Sequence, residues 1–571
     1  MRTIALLLAA FVHCGCDRAA KSTVASAPVE PTGPEWFEDI TAKSGVTFRH
    51  QSGPTGKYFM PQVMGSGVAL FDFDNDGRLD LLLLNNAGPK SDARNALYKQ
   101  QEDGVFRDVS AGSGLDIAGY GMGVAIGDID NDGWSDVYIS QFGGGRLFRN
   151  RGNGTFEDIT AAAGVSLPHW GTSVSFLDYD RDGWLDLVVV NYVDYDPSHS
   201  CVEASGNVDF CHPRQFPGTA ARLFHNKGRA GDRWSGFEDV SLKAGLASAR
   251  SNGLGVVCAD FDGDGWIDIL IANDTLPNHL WINQKNGTFI DEAVFRGVAV
   301  NAAGNPEANM GVAVADLFGV GRFDVFITHL AEERHTLWRQ DVPGHFRDIT
   351  ATAGLASTHW RGTGFGTVAA DFNHDGFMDL AVANGRVMRA RLPNNASPPE
   401  LLPAFWRPYA ERNQLFAGTA EGRFRDVSLD SPMLTNPPGV YRGMAWGDLD
   451  GDGGVDLVVT SIDGPIKILR NVAPKRGHWL GIRAYDPALK RDAYGAVVTI
   501  SMADKSRVGM VNPGQSYCSS GDSRVHFGLG DSDHVGSIRV AWPDGAVEEF
   551  LGGKADRYVT LKRGEGKPIT R

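Results

Sequence analysis

Five nonapeptides of the form D-x-D-x-D-G-x-x-D begin at Asp72, Asp128, Asp178, Asp260 and Asp448, and a sixth at Asp371 carries Asn373 in its third position. Carboxylates at alternate positions of a chain that curls back at a glycine converge on one point, since glycine tolerates the reversal. The loops thus gather Asp72, Asp74, Asp76 and Asp80; Asp128, Asp130, Asp132 and Asp136; Asp178, Asp180, Asp182 and Asp186. The remaining three gather Asp260, Asp262, Asp264 and Asp268; Asp371, Asn373, Asp375 and Asp379; and Asp448, Asp450, Asp452 and Asp456. With a backbone carbonyl at the seventh position, the shell is all oxygen and suits Ca²⁺, which takes roughly 6–8 oxygens. The stricter octahedron of Mg²⁺ suits it less. An EF-hand is excluded, because its twelfth position needs a bidentate Glu and here holds Leu83, Ile139, Val189, Ile271, Val382 or Val459. A seventh loop, from Asp316, has Phe318 and Val320 where carboxylates are needed, so no metal is expected there.

The loops start 56, 50, 82, 56, 55 and 77 residues apart. Between them runs a second motif, F-x-D-[IV]-[ST], at Phe37, Phe106, Phe156, Phe237, Phe346 and Phe424, with a weaker copy at Phe289. Short apolar pieces such as Leu147-Phe148 and Leu280-Trp281 stand between the two motifs. Apolar runs bounded by Gly and Asp turns read as strands, four to a unit. Four strands repeated seven times describe an all-β, seven-bladed β-propeller with the acidic loops on its A–B hairpins. The first F-x-D precedes any acidic loop and the last loop has no F-x-D after it. The Phe37 strand should therefore complete the last blade and close the ring without a free edge.

Acidic A–B loops followed by F-x-D-I-T strands resemble the FG-GAP (VCBS-type) repeats of integrin α-subunit propellers. The C-terminal hundred residues resemble the ASPIC/UnbV domain, on Trp479-Leu480, Arg491 to Ala496, Val525 to Gly530 and Val540 to Gly545. Together they are similar to the cartilage acidic protein family, and the resemblance implies extracellular, calcium-dependent binding without defining a ligand. The C-terminal segment also alternates apolar residues at Val498, Ile500 and Met502 and again at Val525, Phe527 and Leu529. That pattern predicts a small β-sandwich, with His526 on a strand rather than ligating a metal.

The chain has 571 residues, 71 of them Gly, and a net charge of −15. Much of that charge is local, with 23 carboxylates in the six loops, so six Ca²⁺ would bring the total to −3. Nucleic acid is disfavoured as a partner, because phosphate binding needs a clustered basic face. Arg2, the apolar run Ile4 to Val12 and Gly15-Cys16 resemble a bacterial lipoprotein leader with Cys16 as its lipidation site, although His13 departs from the usual aliphatic residue. Nine apolar residues cannot span a bilayer, which takes about 20. The expected order is an export signal over 1–16, a tether over 17–34, the propeller over 35–471 and the β-domain over 472–571. The protein is thus expected to be an extracytoplasmic monomer of the cell envelope, touching membrane only through an N-terminal lipid. Cys201 and Cys211 lie in one loop-like segment and could bridge in an oxidising compartment.

Long insertions follow the second strand of two blades, at 192–222 and 386–412, on the face opposite the acidic loops. The same face should carry Tyr120, His169, Trp170, His359, Trp360, Arg361, Tyr441 and Arg442 around a funnel. Aromatics with Arg and His suit a glycan or protein ligand. No HExxH, GxSxG or P-loop occurs, and no catalytic residue is assigned. A binding or adhesion scaffold is expected. The alternative is a calcium-stabilised propeller lyase or dehydratase with His169 or His359 as base, since a fold alone does not decide chemistry.

Overall fold

The computed structural model describes residues 33–203, 205–390, 402–474, 476–503 and 505–569. The leader, Cys16 and nearly all of the tether lie outside the described residues. No helix among the described residues is long and apolar enough to cross a membrane.

Each acidic loop ends where a strand begins. The ninth-position aspartates open the second strands, Asp80–Leu83, Asp136–Gln141, Asp186–Asn191, Asp268–Asn273, Asp324–Ile327, Asp379–Asn384 and Asp456–Ser461. Each pairs antiparallel with an inner strand that leads into the loop, and these inner strands are almost wholly buried. With a third and a fourth strand the unit becomes a four-stranded sheet, and the described residues contain seven such sheets. Consecutive inner strands touch all the way round, Val68–Phe71 meeting both Gly121–Gly127 and Tyr441–Gly447. Phe37–Asp39 pairs with Lys467–Asn471 and closes the ring.

The F-x-D-[IV]-[ST] motif has a local cause. Asp158 Oδ1 accepts from the Thr160 hydroxyl, and Thr160 Oγ1 in turn accepts from the Leu147 amide of the third strand at 2.9 Å. Asp108 and Ser110, Asp239 and Ser241, and Asp348 and Thr350 repeat the pattern. In the weaker copy Ala293 offers no hydroxyl, and Asp291 Oδ1 takes the Leu280 amide directly at 3.1 Å.

A second repeated side chain ties blade to blade. The third strands end in Gln100, Asn150, Asn226, Asn283 or Asn471, and Gln340 holds the equivalent place in Thr336–Val342. Each carboxamide donates to the second-position carbonyl of the preceding blade's loop: Asn150 to Phe73 at 2.9 Å, Asn226 to Ile129 at 2.8 Å and Asn283 to Tyr179 at 2.8 Å. Gln100 to Leu449, Gln340 to Phe261 and Asn471 to Phe372 make six. The sixth blade has Gly418 instead, and there the preceding loop is the degenerate one from Asp316.

The C-terminal domain is two β-sheets, one built on His478–Asp486 and the other on Val497–Ser501 with His534–Ala541, enclosing Ile482, Val498, Phe527 and Trp542. It does not stand apart from the ring. Residues 512–520 leave it and enter the centre of the propeller, where they bond to all seven inner strands. Asn512 reaches Cys258 O, Ser516 exchanges two bonds with Val312, and Ser516 Oγ accepts from Thr367 N. Ser519 Oγ accepts from Met444 N, Ser519–Ser520 pairs in parallel with Val68–Ala69, Ser520 Oγ donates to Val124 O, and Cys518 N donates to Ser173 Oγ. Tyr517 is fully buried beyond them and donates to Met64 O at 3.0 Å. Gly67 permits the approach, since a Cβ there would lie 2.7 Å from Cys518 O.

Asn283→Leu strands the Tyr179 and Ile267 carbonyls and should cost about 1–3 kcal/mol in urea unfolding. Tyr517→Ala empties the channel and should cost at least about 3 kcal/mol. A separate domain would instead leave propeller stability unmoved.

Candidate functional site

The loops share one wiring. The first aspartate accepts from the backbone amides of the fifth and sixth residues, as Asp72 does from Asp76 N at 3.0 Å and Gly77 N at 2.8 Å. The fifth accepts from the amide of the seventh, as Asp132 does from Trp134 N at 3.0 Å. The ninth is fully buried and binds both sides of the sheet: Asp136 accepts from Ile129 N at 3.0 Å and from Asn150 N of the third strand at 2.8 Å. Asp268 and Asp456 repeat it. The fourth residue is left-handed in all seven loops, at Asn75, Asn131, Arg181, Gly263, Gly319, His374 and Gly451. Asn and Gly adopt that conformation most readily.

This wiring brings the expected ligands together. One oxygen each from Asp72, Asp74 and Asp80 lies within 4.8 Å of the others, as do those of Asp128, Asp130 and Asp136 and of Asp178, Asp180 and Asp186. Burial pushes the Asp80 carboxyl up to about 8, Asp128 up to about 7 and Asp260 up to about 6. It raises Asp136, Asp186, Asp268, Asp379 and Asp456 well above the carboxylate range, with neighbouring carboxylates adding to the effect. A buried charge is costly unless paired or metal-bound. Basic side chains offset part of the charge at the outer positions: Lys99 pairs with Asp74 and Asp76, Arg149 with Asp130 and Asp132, and Arg476 with Asp452. Asp130 is fully buried, and while Arg149 reaches its Oδ2, its Oδ1 has no donor; Asp178 Oδ1 likewise has none. Hard oxygens so placed fit a hard divalent cation.

The loop from Asp316 keeps the closing bonds, with Asp316 accepting from Val320 N at 2.7 Å and Gly321 N at 3.0 Å. Its third position is an aromatic platform, the Arg339 guanidinium lying 4.7 Å from the Phe318 ring centre.

Neighbouring loops are latched to one another. Asn75 Nδ2 donates to Gly133 O at 2.9 Å, Asn131 Nδ2 to Gly183 O at 3.1 Å, and Arg181 to Gly265 O. Farther round, the C-terminal domain supplies the donors: Arg507 to Gly376 O at 2.7 Å and His526 Nε2 to Gly453 O at 2.8 Å. Tyr558 donates to the loop carboxylate Asp448 at 2.8 Å, and Arg491 bonds both Asn131 and Gly183. The domain therefore sits on the loop face.

The opposite face is not an open funnel. The two insertions interlock over the channel mouth, with Phe210 stacked on Trp406 at 5.9 Å and Asp209 accepting from Tyr409 and Arg389. Cys201 and Cys211 form a disulfide within the first. Under this cap Trp170 and Arg442 are buried, and Tyr441 is buried between the sixth and seventh blades, which corrects their expected place at a ligand surface. Trp170 packs between Phe142, Tyr192 and Tyr195. Arg442 donates to Val63 O, Gly385 O, Tyr441 O and Arg386 O, so it holds the cap and not a ligand. Tyr120 and His169 are half-buried, and His169 Nε2 lies 3.4 Å from Arg222. His359 and Arg361 are exposed, and Trp360 lies half-exposed beneath the Arg412 guanidinium at 5.4 Å. The carboxamide-bearing third-strand ends and the channel segment carry as much of the structure as the acidic loops. A recurrent Asn or Gln three residues after the Leu of Leu97-Tyr98, Leu147-Phe148, Leu223-Phe224, Leu280-Trp281 and Leu337-Trp338 was the available signal for the former.

Residues 72–139, 129–189, 260–327 and 316–382 match the FG-GAP-like repeat, each match running from one acidic loop into the second strand of the next blade. Residues 486–568 match the family described as ASPIC and UnbV. Cartilage acidic protein 1 of Mus musculus is 26% identical over 376 residues, 55% of either chain. The Homo sapiens protein of that name is 25% identical over 372 residues, 55% of this chain and 54% of that one. The chain thus spans about half the length of the curated relatives it matches. Among solved structures, an Agrocybe aegerita lectin that recognises non-reducing terminal N-acetylglucosamine aligns with a TM-score of 0.35 and 14% identity, over 70% of this chain and 87% of that one. The BP39L lectin of Burkholderia pseudomallei aligns with a TM-score of 0.35 and 12% identity, over 71% and 98%.

Trp170→Ala should lower stability by about 3–5 kcal/mol in denaturant titration, as expected for a buried ring. Trp360→Ala should stay within about 1 kcal/mol of the parent.

Proposed function

The chain belongs to the cartilage acidic protein family through its FG-GAP-like repeats and its ASPIC and UnbV domain, and on that premise we propose an exported, calcium-stabilised scaffold that binds a glycan or protein ligand. The observation that carries the calcium reading is the pair of buried oxygens, Asp130 Oδ1 and Asp178 Oδ1, that no donor reaches. Asp128, Asp130 and Asp136, with the equivalent sets in five other loops, would hold the ion. When bound, Ca²⁺ supplies these desolvated carboxylates with positive charge beyond the little that Arg149 lends Asp130. The loops then keep the inner hairpins closed and present a firm floor to the C-terminal domain.

The reading is a binding one rather than a catalytic one, because the paired carboxylates are engaged in loop closure. Ligand access falls to the face opposite the loops, since the C-terminal domain covers the loop face. The Cys201–Cys211 bridge supports an oxidising, extracytoplasmic location, with Cys16 as the proposed lipid anchor. We take the protein to act as a monomer.

Binding to the native state alone stabilises by about 2.7 kcal/mol per site at a hundredfold excess over Kd. Melting in Ca²⁺ should therefore exceed melting in EDTA by a wide margin, with metal content measured on both samples. An unchanged melting temperature after verified removal rejects the reading. Crystals grown in Ca²⁺ should show six anomalous peaks and none at Asp316, where Phe318 removes a ligand.

A further inference from the structure

On the face opposite the acidic loops, along the second blade between Pro89 of the first and the 166–168 link to the third, lies an open cleft of about 680 Å³. Tyr120 and Phe142 form one wall, their rings 5.9 Å apart at 70°, and Arg146 and Asp158 stand at the rim with Nη1 and Oδ2 3.7 Å apart. Gln141 lies in the lining, only 6% exposed, and its Nε2 has no hydrogen-bond acceptor. Leaving such a donor unmet costs about 1–3 kcal/mol, so a buried amide in the wall of a cleft calls for a polar partner. Glycines let polar groups of the wall pack against the backbone: a Cβ on Gly119 would lie 2.8 Å from Gln141 Oε1, and one on Gly145 would lie 2.2 Å from the Tyr138 hydroxyl. That hydroxyl is also buried without a partner. The three B–C residues Gly143, Gly144 and Gly145 add no side chain to block the mouth.

We propose that this cleft binds a neutral oligosaccharide, a proposal that rests on the binding-scaffold reading and names its ligand class. A pyranose ring offers an apolar face to Tyr120 and hydroxyl oxygens to the Gln141 amide. The Arg146 and Asp158 pair supplies donors beside acceptors, which matches neighbouring sugar hydroxyls that both donate and accept. The pair contributes no net charge to the cleft, and the chain carries −15 overall, so a polyanion gains no electrostatic attraction there. Tyr120 was expected at a ligand surface from the sequence; Gln141, Arg146 and Asp158 come to it only through the fold.

The full chain in Ca²⁺ is titrated with cello-, malto-, chito- and xylo-hexaose, with alginate hexamers and an uncharged peptide library as comparators. At least one neutral hexaose should bind, and Gln141→Leu, Tyr120→Ala and Arg146→Ala should each weaken it about tenfold or more, while Trp360→Ala should not. Arg146 is partly exposed, so its variant reads the site even if the other two melt early. Undiminished hexaose binding in Arg146→Ala and in the folded fraction of Gln141→Leu overturns the site and leaves the scaffold reading intact. Binding of alginate or peptide without any neutral hexaose overturns the ligand class alone. No binding to any probe by the folded, calcium-loaded protein overturns both.

Discussion

The ninth-position carboxylate of each acidic loop is the interaction on which the other contacts depend. It opens the second strand, takes an amide from the loop before it and another from the third strand, and does so in the interior. Asp136 is representative: its oxygens hold Ile129 N and Asn150 N, and Asn150 then reaches across to Phe73 O of the preceding blade. One buried charge thereby joins three strands of its own sheet to the next sheet round the ring. Burial works against that charge, and the bonds around it only partly compensate. A cation held by the same loop resolves the conflict, so metal affinity and blade geometry are two aspects of one arrangement. Where Phe318 replaces the third-position carboxylate, the Arg339 guanidinium lies over its ring and the hairpin persists.

The ring has seven inner strands, and the space between them must be filled. Here the filling comes from the C-terminal domain. Residues 512–520 bond to an inner strand of every blade, and Tyr517 closes the far end against Met64. The same domain lends Arg507, His526 and Tyr558 to the loops of the later blades. Its docking surface is thus the loop surface. The two modules are one folding unit in their contacts, although the chain presents them one after the other.

That docking, together with the cap, also divides the protein's faces. One end is occupied by the domain, and the channel at the other end is sealed by two interlocked insertions. Buried Trp170 and Arg442 serve that seal. Open space remains to the side of it, along the second blade, where short glycine-rich loops leave a cleft lined by Tyr120, Gln141 and Phe142.

The sequence by itself determined what is local. The nonapeptide sets the curl, the strand start at its ninth residue and the convergence of oxygens. The F-x-D-[IV]-[ST] motif sets a fourth strand and the hydroxyl that caps the third. The offset between the two motifs required Phe37 to pair with the last blade, as it does with Asn471. Only the tertiary structure decided which side chains are covered. Trp170 and Trp360 each follow a histidine and precede an inner strand, yet one is sealed beneath an insertion and the other is half-exposed. The difference lies in segments distant along the chain, Tyr192 and Tyr195 against Trp170 and Arg412 beside Trp360. The path of residues 512–520 was equally hidden, because their polarity reads as a surface loop. Seven inner strands with unpaired groups turn that polarity into the lining of a core.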